Sequence, residues 1–315
     1  MLRFAATRLV SLGLSLIAAS LVIFAVIEVV PGDPAAFMLG LNAEPEAVAA
    51  LRDELGLNGS RAARYLSWVG GMVTGDFGQS YTYRVPVSQL VLQRLWVSLP
   101  LALYALGLST LIAFPIGLIA ASRRGRPADY GIMAATQLGV AVPNFWFAML
   151  LVLVFAVNLR WFSAGGFPGW EAGAFAALKA LTLPAVSLAL PQASILARVM
   201  RSALIETLGQ DYIRTARAKG LSRRQAITRH ALRNALIPVL TVLGLEMGTL
   251  IGGTVLVEFV FNWPGLSGYL VAAVDARDYP EVVGIVMTIS VLFVFLNLVV
   301  DVVNALLDPR ISLVR

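Results

Sequence analysis

The sequence predicts an all-α polytopic membrane protein with six transmembrane helices, and three observations carry that prediction. Hydrophobic residues make up 58% of the 315, and charged residues only 13%, about half the ~25% of an ordinary soluble domain. The mean hydropathy is +0.81. Six apolar runs, at approximately 9–30, 97–121, 131–158, 180–198, 235–257 and 282–306, lie near the ~20 residues that a bilayer crossing needs. The chain has no cysteine, so disulfides and thiolate metal sites are excluded.

In chain order, Arg3 and Arg8 open the first run, which is interrupted only by Glu28. It is longer than the ~7–15 apolar residues of a signal peptide, so a retained span is expected. "PGDP" at Pro31–Pro34 ends it, because both prolines oppose helix continuation. Pro45 then opens a short helix with Val48, Leu51 and Leu55 on one face, and a second groups Tyr65, Trp68, Val69 and Met72. Two readings stay open for this pair: helices resting at the membrane surface, or a small packed cap.

The second and third runs carry no charge at all. The fourth is short and holds Pro184 and Pro191, which a span tolerates where neighbouring helices satisfy the freed backbone groups. Between the fifth and sixth, "VEFVFNWPGLSGYL" breaks at Trp263-Pro264. It reads either as a segment dipping partway into the membrane or as an apolar loop with an interfacial tryptophan.

Six spans place both termini on one side. That side, with the 122–130 and 199–234 loops and Arg198 at its edge, holds 16 of the 24 Lys and Arg residues, against 8 on the other. The positive-inside bias puts it in the cytoplasm. The organisation is then a first helix in 1–30, an outward loop with amphipathic helices in 31–96, and a core of 97–315 containing the 199–234 loop. The net charge of +6 reflects cytoplasmic loops rather than nucleic-acid binding.

Enzymatic motifs are missing. The only lysines, Lys179 and Lys219, follow no phosphate-loop glycine pattern. The single histidine, His230, has no carboxylate near it in sequence and builds neither a multi-His metal site nor a triad. No catalytic residue and no metal ligand is assigned. Three acids fall in or at the ends of spans: Glu28, Glu246 and Asp301. Asn297, Asp301 and Asn304 share one helix face, which favours helix–helix hydrogen bonding. Glu246 lies mid-span and reads either as a pathway or inter-subunit group or as a structurally paired acid.

The odd stretch is "QDYIRTARAKGLSRRQAITRHALRNALIP", Gln210–Pro238. It holds seven basic residues and one acid between two apolar runs. Gln210 or Asp211 precedes a helical run from Tyr212 to Lys219, and Gly220 suits a left-handed C-terminal cap. Ser222 and Gln225 have the spacing of a capping box, opening a second helix that leads into the fifth span. An eight-residue helix is marginal in water, so it is expected to pack against a partner.

"RTARAKG" (Arg214–Gly220) resembles the E-A-A-x-x-x-G cytoplasmic loop of bacterial ABC-importer permeases, with Arg214 and Thr215 in place of its first two letters. The longer spacing to "LIP" (Leu236–Pro238) resembles the dipeptide/oligopeptide/nickel subfamily. So does the ordered set "PGDP", "ELGL", "GDFGQS", "LGQDYIRTARAKGLS", "ALRNALIPVLT", "WPGL", "ARDYP" and "ALLDPR" across the whole chain.

The resemblance implies a type I ABC importer permease fold in the bacterial inner membrane. It also implies a second homologous permease, two cytoplasmic ATPase subunits that bind ATP and magnesium, and a periplasmic or lipid-anchored solute-binding protein. Asp211, Tyr212, Arg214, Thr215, Ala216, Arg217, Ala218, Lys219, Gly220 and Leu221 would form the ATPase-coupling segment. Glu246, Trp263, Pro264 and Asp301 are the candidates for the pathway or the inter-subunit contact. Peptides are the expected cargo; nickel or a metal chelate and glutathione stay open. An ion-coupled carrier is the rival class, and it should show an internal repeat, which the sequence lacks.

Overall fold

A computed structural model of the chain describes residues 2–29, 33–40, 43–252 and 254–307. Pro31 and Gly32, the first half of the expected turn after the first span, lie outside the described residues. The helices are α1 (Leu2–Val29), α2 (Pro34–Leu39), α3 (Pro45–Glu54), α4 (Arg61–Thr74), α5 (Val87–Ser122), α6 (Pro127–Ala141) and α7 (Asn144–Leu151). They continue with α8 (Ala174–Leu208), α9 (Asp211–Ala218), α10 (Arg223–Ala226), α11 (Leu232–Gly252), α12 (Val255–Val260), α13 (Leu266–Asp275) and α14 (Tyr279–Leu307). Among the described residues, five helices are long and apolar enough to cross a membrane, or six if α6 and α7 form one broken span.

That break corrects the expected single run at 131–158. The two helices meet at 93°. Pro143 supplies no backbone N–H, and Val142 before it is held extended (φ −78°, ψ 120°), the conformation that a following proline favours. By contrast α8 runs unbroken through Pro184 and Pro191, reaching well beyond the expected 180–198. There Ser187 and Ser194 fold their hydroxyls onto the Pro184 and Leu190 carbonyls, keeping polar groups satisfied without water. Two π-helical turns, Val152–Asn158 after α7 and Ile227–Ala231 before α11, have no counterpart in the sequence reading.

The chain divides into two compact units. The first takes in 1–8, 99–264 and 295–315, and α8 is its packing centre against α6, α7 and α11. Small residues allow close crossings, as in other membrane bundles. A Cβ on Gly117 would lie 2.8 Å from the Ala197 carbonyl oxygen, and one on Gly244 would lie 2.7 Å from Val300. At one end of α8, Arg201 holds the buried Asp129 carboxylate through two bonds of 2.6 and 2.7 Å, and the Gly125 N–H donates to the same group.

The second unit takes in 9–98 and 265–294. Tyr65 and Trp68 of α4 pack on Phe24 of α1, with ring centroids 5.3 and 6.1 Å away. The Tyr65 and Ser20 hydroxyls share a 2.9 Å hydrogen bond. Glu28 pairs with Arg61 and Arg64 from successive turns of α4. The buried Asp278 ties distant segments together. One of its oxygens accepts from the Ser80 hydroxyl (2.7 Å) and the Thr82 N–H (2.8 Å), and the other from the Glu281 N–H (3.3 Å) at the start of α14. The Tyr269 hydroxyl donates to Glu281 at 2.7 Å, and the Arg94 guanidinium covers the Tyr269 ring.

Candidate functional site

The Gln210–Pro238 stretch folds as a helix, a reversed turn and a second helix. Asp211 is the first residue of α9 rather than its cap. Gln210 takes the N-cap position in extended conformation, with no side-chain bond. The Asp211 carboxylate therefore sits in the first turn, where a negative charge suits the helix dipole. It lies 3.4 Å from Arg214, and both side chains are largely exposed, so that pair contributes little.

α9 closes in a Schellman turn. The Gly220 N–H donates to the Arg217 carbonyl at 3.0 Å and the Leu221 N–H to the Ala216 carbonyl at 3.3 Å, with Lys219 at the C-cap. Gly220 has φ +95°, a conformation that glycine adopts without a Cβ penalty. Ser222 and Gln225 then form the reciprocal capping box. The Ser222 N–H donates to Gln225 Oε1 (3.0 Å), and the Gln225 N–H donates to Ser222 Oγ (3.3 Å).

Two contacts fix α9 to the bundle. Ile213 is 1% exposed and sits in the apolar cluster with Leu204, Ala226, Ala231 and Ala235. Asn234 Nδ2 donates to the Tyr212 hydroxyl at 2.6 Å. Ala216 and Leu221 are half-buried, whereas Asp211, Tyr212, Arg214, Thr215, Arg217, Ala218, Lys219 and Gly220 are exposed. The arrangement presents a polar surface on a helix whose opposite side is plugged into the core.

The remaining candidates lie elsewhere. Glu246 is buried in α11, and neither carboxylate oxygen has a hydrogen-bond partner among the described residues. Asp301 of α14 pairs with Arg8 at 2.9 Å, and Asn304 donates to Thr241 at 3.3 Å. Trp263 is buried against Phe167 at 5.0 Å between ring centroids, in the turn with Pro264 after α12. The sequence reading missed Asp129, Arg201, Ser80 and Asp278. It placed Glu28 at a span end without naming a partner, yet Arg61 and Arg64 stand three apart on one face of α4, the signal that marked its partners.

Residues 113–313 match the family model described as binding-protein-dependent transport system inner membrane component, and residues 1–102 match the model of the N-terminal part of such components. The chain is 40% identical to the oligopeptide transport system permease protein AppB of Bacillus subtilis (strain 168) over 296 residues, covering 92% of each. It is 37% identical to the glutathione transport system permease protein GsiC of Salmonella choleraesuis (strain SC-B67), covering 99% of each. Its fold matches a chain of the MetNI methionine ABC transporter in an inward-facing conformation, with a TM-score of 0.56 at 16% identity, over 70% of this chain and 97% of that one.

Proposed function

The chain belongs to the binding-protein-dependent transport system inner membrane components, and from that premise we propose that it is a peptide-conducting permease subunit of an ATP-driven importer. It lines half of the pathway beside a second, similar permease. Two ATPase subunits, which bind ATP and magnesium, dock on its cytoplasmic side, and a solute-binding protein delivers cargo to the opposite face.

The observation that carries this reading is α9: eight residues, closed at the C-terminal end by the Gly220 turn, anchored by Ile213 and exposing polar groups. A docked ATPase moves this helix, and the capping box and Asn234 pass the movement into α11. ATP drives transport because it favours one permease conformation over another through that contact. Glu246 is the better candidate for a group facing the pathway or the second permease, since its carboxylate is unanswered among the described residues, whereas Arg8 already answers Asp301. Glutathione is the second reading for the cargo, supported by the likeness to GsiC; it is itself a tripeptide.

The test is reconstitution of the co-encoded subunits in proteoliposomes with a labelled oligopeptide. Uptake should require ATP inside, the ATPase subunits and the binding protein. Uptake that survives ATP depletion and collapses with an ion gradient would establish an ion-coupled carrier instead.

A further inference from the structure

The second unit contains a cavity of about 940 Å3, bounded by α1, α3, α4, the turn at 76–81 and the first turn of α14. That is near the upper end of the ~300–1,000 Å3 typical of small-molecule sites. We propose that this cavity binds a short zwitterionic peptide carrying an apolar side chain, a subsite that rests on the peptide reading above.

Its charges are balanced. Glu28, Asp33 and Asp76 face Arg52, Arg61 and Arg64, so the lining favours neither a simple anion nor a simple cation, and suits a ligand with both charges. The pairs are exchangeable at the mouth. Arg52 stands 3.6 Å from Asp33, and Arg61, at 3.1 Å from Glu28, is 80% exposed. A peptide carboxylate can take the arginines while its ammonium takes an acid, which conserves the number of ion pairs.

Two polar atoms of the lining are buried without a hydrogen-bond partner among the described residues: the Tyr279 hydroxyl and Arg64 Nε. Native structures leave few such groups; both atoms are closed to water, so a ligand in the cavity meets them only after a side-chain shift. Burial, reinforced by the Asp278 charge, pushes the neighbouring Tyr81 phenol up to about 12, so it remains a neutral hydroxyl at working pH. Trp68 and Phe77 supply an apolar wall for a side chain. A wall of this mixed character discriminates against a lipid tail, which would leave six charges desolvated.

The experiment uses the full chain with its co-purified partners in lipid nanodiscs, without binding protein, and radiolabelled Ala-Phe-Ala. Saturable binding is expected, competed by the free tripeptide and not by its N-acetylated, C-amidated form. Tyr279→Phe should weaken binding roughly two- to twelvefold, the range of one hydrogen bond, while the melting temperature stays equal or rises. Arg52→Ala, at an exposed position, should weaken it at least about tenfold, as loss of a charged partner does.

Equal binding of the blocked peptide, parental affinity in both variants, or binding only when binding protein is added would each overturn the proposal. If Tyr279→Phe lowers the melting temperature, its hydroxyl is structural and Arg52→Ala alone decides. Binding retained without ATP-driven uptake would refute the transport reading and leave the site standing.

Discussion

Ile213→Ala is the sharpest perturbation of the α9 anchor. An eight-residue helix is unstable alone, so its population depends on its tethers. Truncating a buried isoleucine costs about 2–5 kcal/mol. The Tyr212–Asn234 bond contributes about 0.5–1.5 kcal/mol, and the Ser222 cap roughly 0.5–2 kcal/mol. The largest tether is therefore the single side chain that is 1% exposed. Even the lower bound, about 2 kcal/mol, raises the locally open population ~30-fold.

Hydrogen exchange read by mass spectrometry in nanodiscs measures this directly. Amides of 212–219 should exchange ~30-fold faster or more in Ile213→Ala, while those of the α8 centre keep parental rates. Peptide uptake should fall strongly at unchanged membrane abundance, because no span is altered. Unchanged exchange would show that Ile213 is not the anchor. Faster exchange with parental uptake would refute the lever, since a frayed α9 would then still transmit the ATPase movement.

Two further outcomes follow from the geometry. Nothing lies within 4 Å of a Cβ placed on Gly220, so Gly220→Val suffers only the left-handed backbone penalty, about 1–2 kcal/mol. It should raise the ATP hydrolysed per peptide imported without lowering abundance, and a parental ratio would remove the turn from the coupling path. Asp278→Ala strips the acceptor from the Ser80 hydroxyl and the Thr82 N–H, at about 1–3 kcal/mol for each orphaned donor. Thermal unfolding should then begin well below the parental temperature, with Asp278→Asn intermediate. Parental melting of the alanine variant would show that the Asp278 bonds do not hold the second unit together.

The α9 turn was legible because its causes lie within a few residues. A capping box spans four positions and a Schellman turn six, so Ser222, Gln225 and Gly220 announce themselves in a linear reading. The Asp278 network was not legible, since Ser80 and Thr82 stand 198 and 196 residues from it. The same holds for Asp129 and Arg201, 72 apart. Prolines show the limit from the other side. Pro184, Pro191 and Pro238 lie inside continuous helices, whereas α6 ends just before Pro143. The missing N–H is the same in all of them. Local chemistry marks where a helix is weak, and tertiary packing decides whether it breaks there.

That division of labour also explains how one short helix can be held and still be offered. Successive residues turn about 100° around a helix, so positions three and four apart share a face. Ile213 and the half-buried Ala216 define the held face, which continues past the turn to Leu221. Asp211, Arg214, Thr215 and Ala218 then fall together on the opposite side, all exposed. The basic residues of the stretch are not equivalent, and part of this was legible, since the position of Gly220 already sets Arg217 and Lys219 in the last turn. Their positions differ: both lie at the C-terminal end of α9, where a cation stabilises the helix dipole, whereas Arg214 lies mid-face with only a weak partner. Arg214 and Thr215 lie at the centre of this exposed surface. These two residues replace the first two letters of the E-A-A-x-x-x-G pattern, so the departure from that pattern falls on the exposed face and not in the fold that presents it.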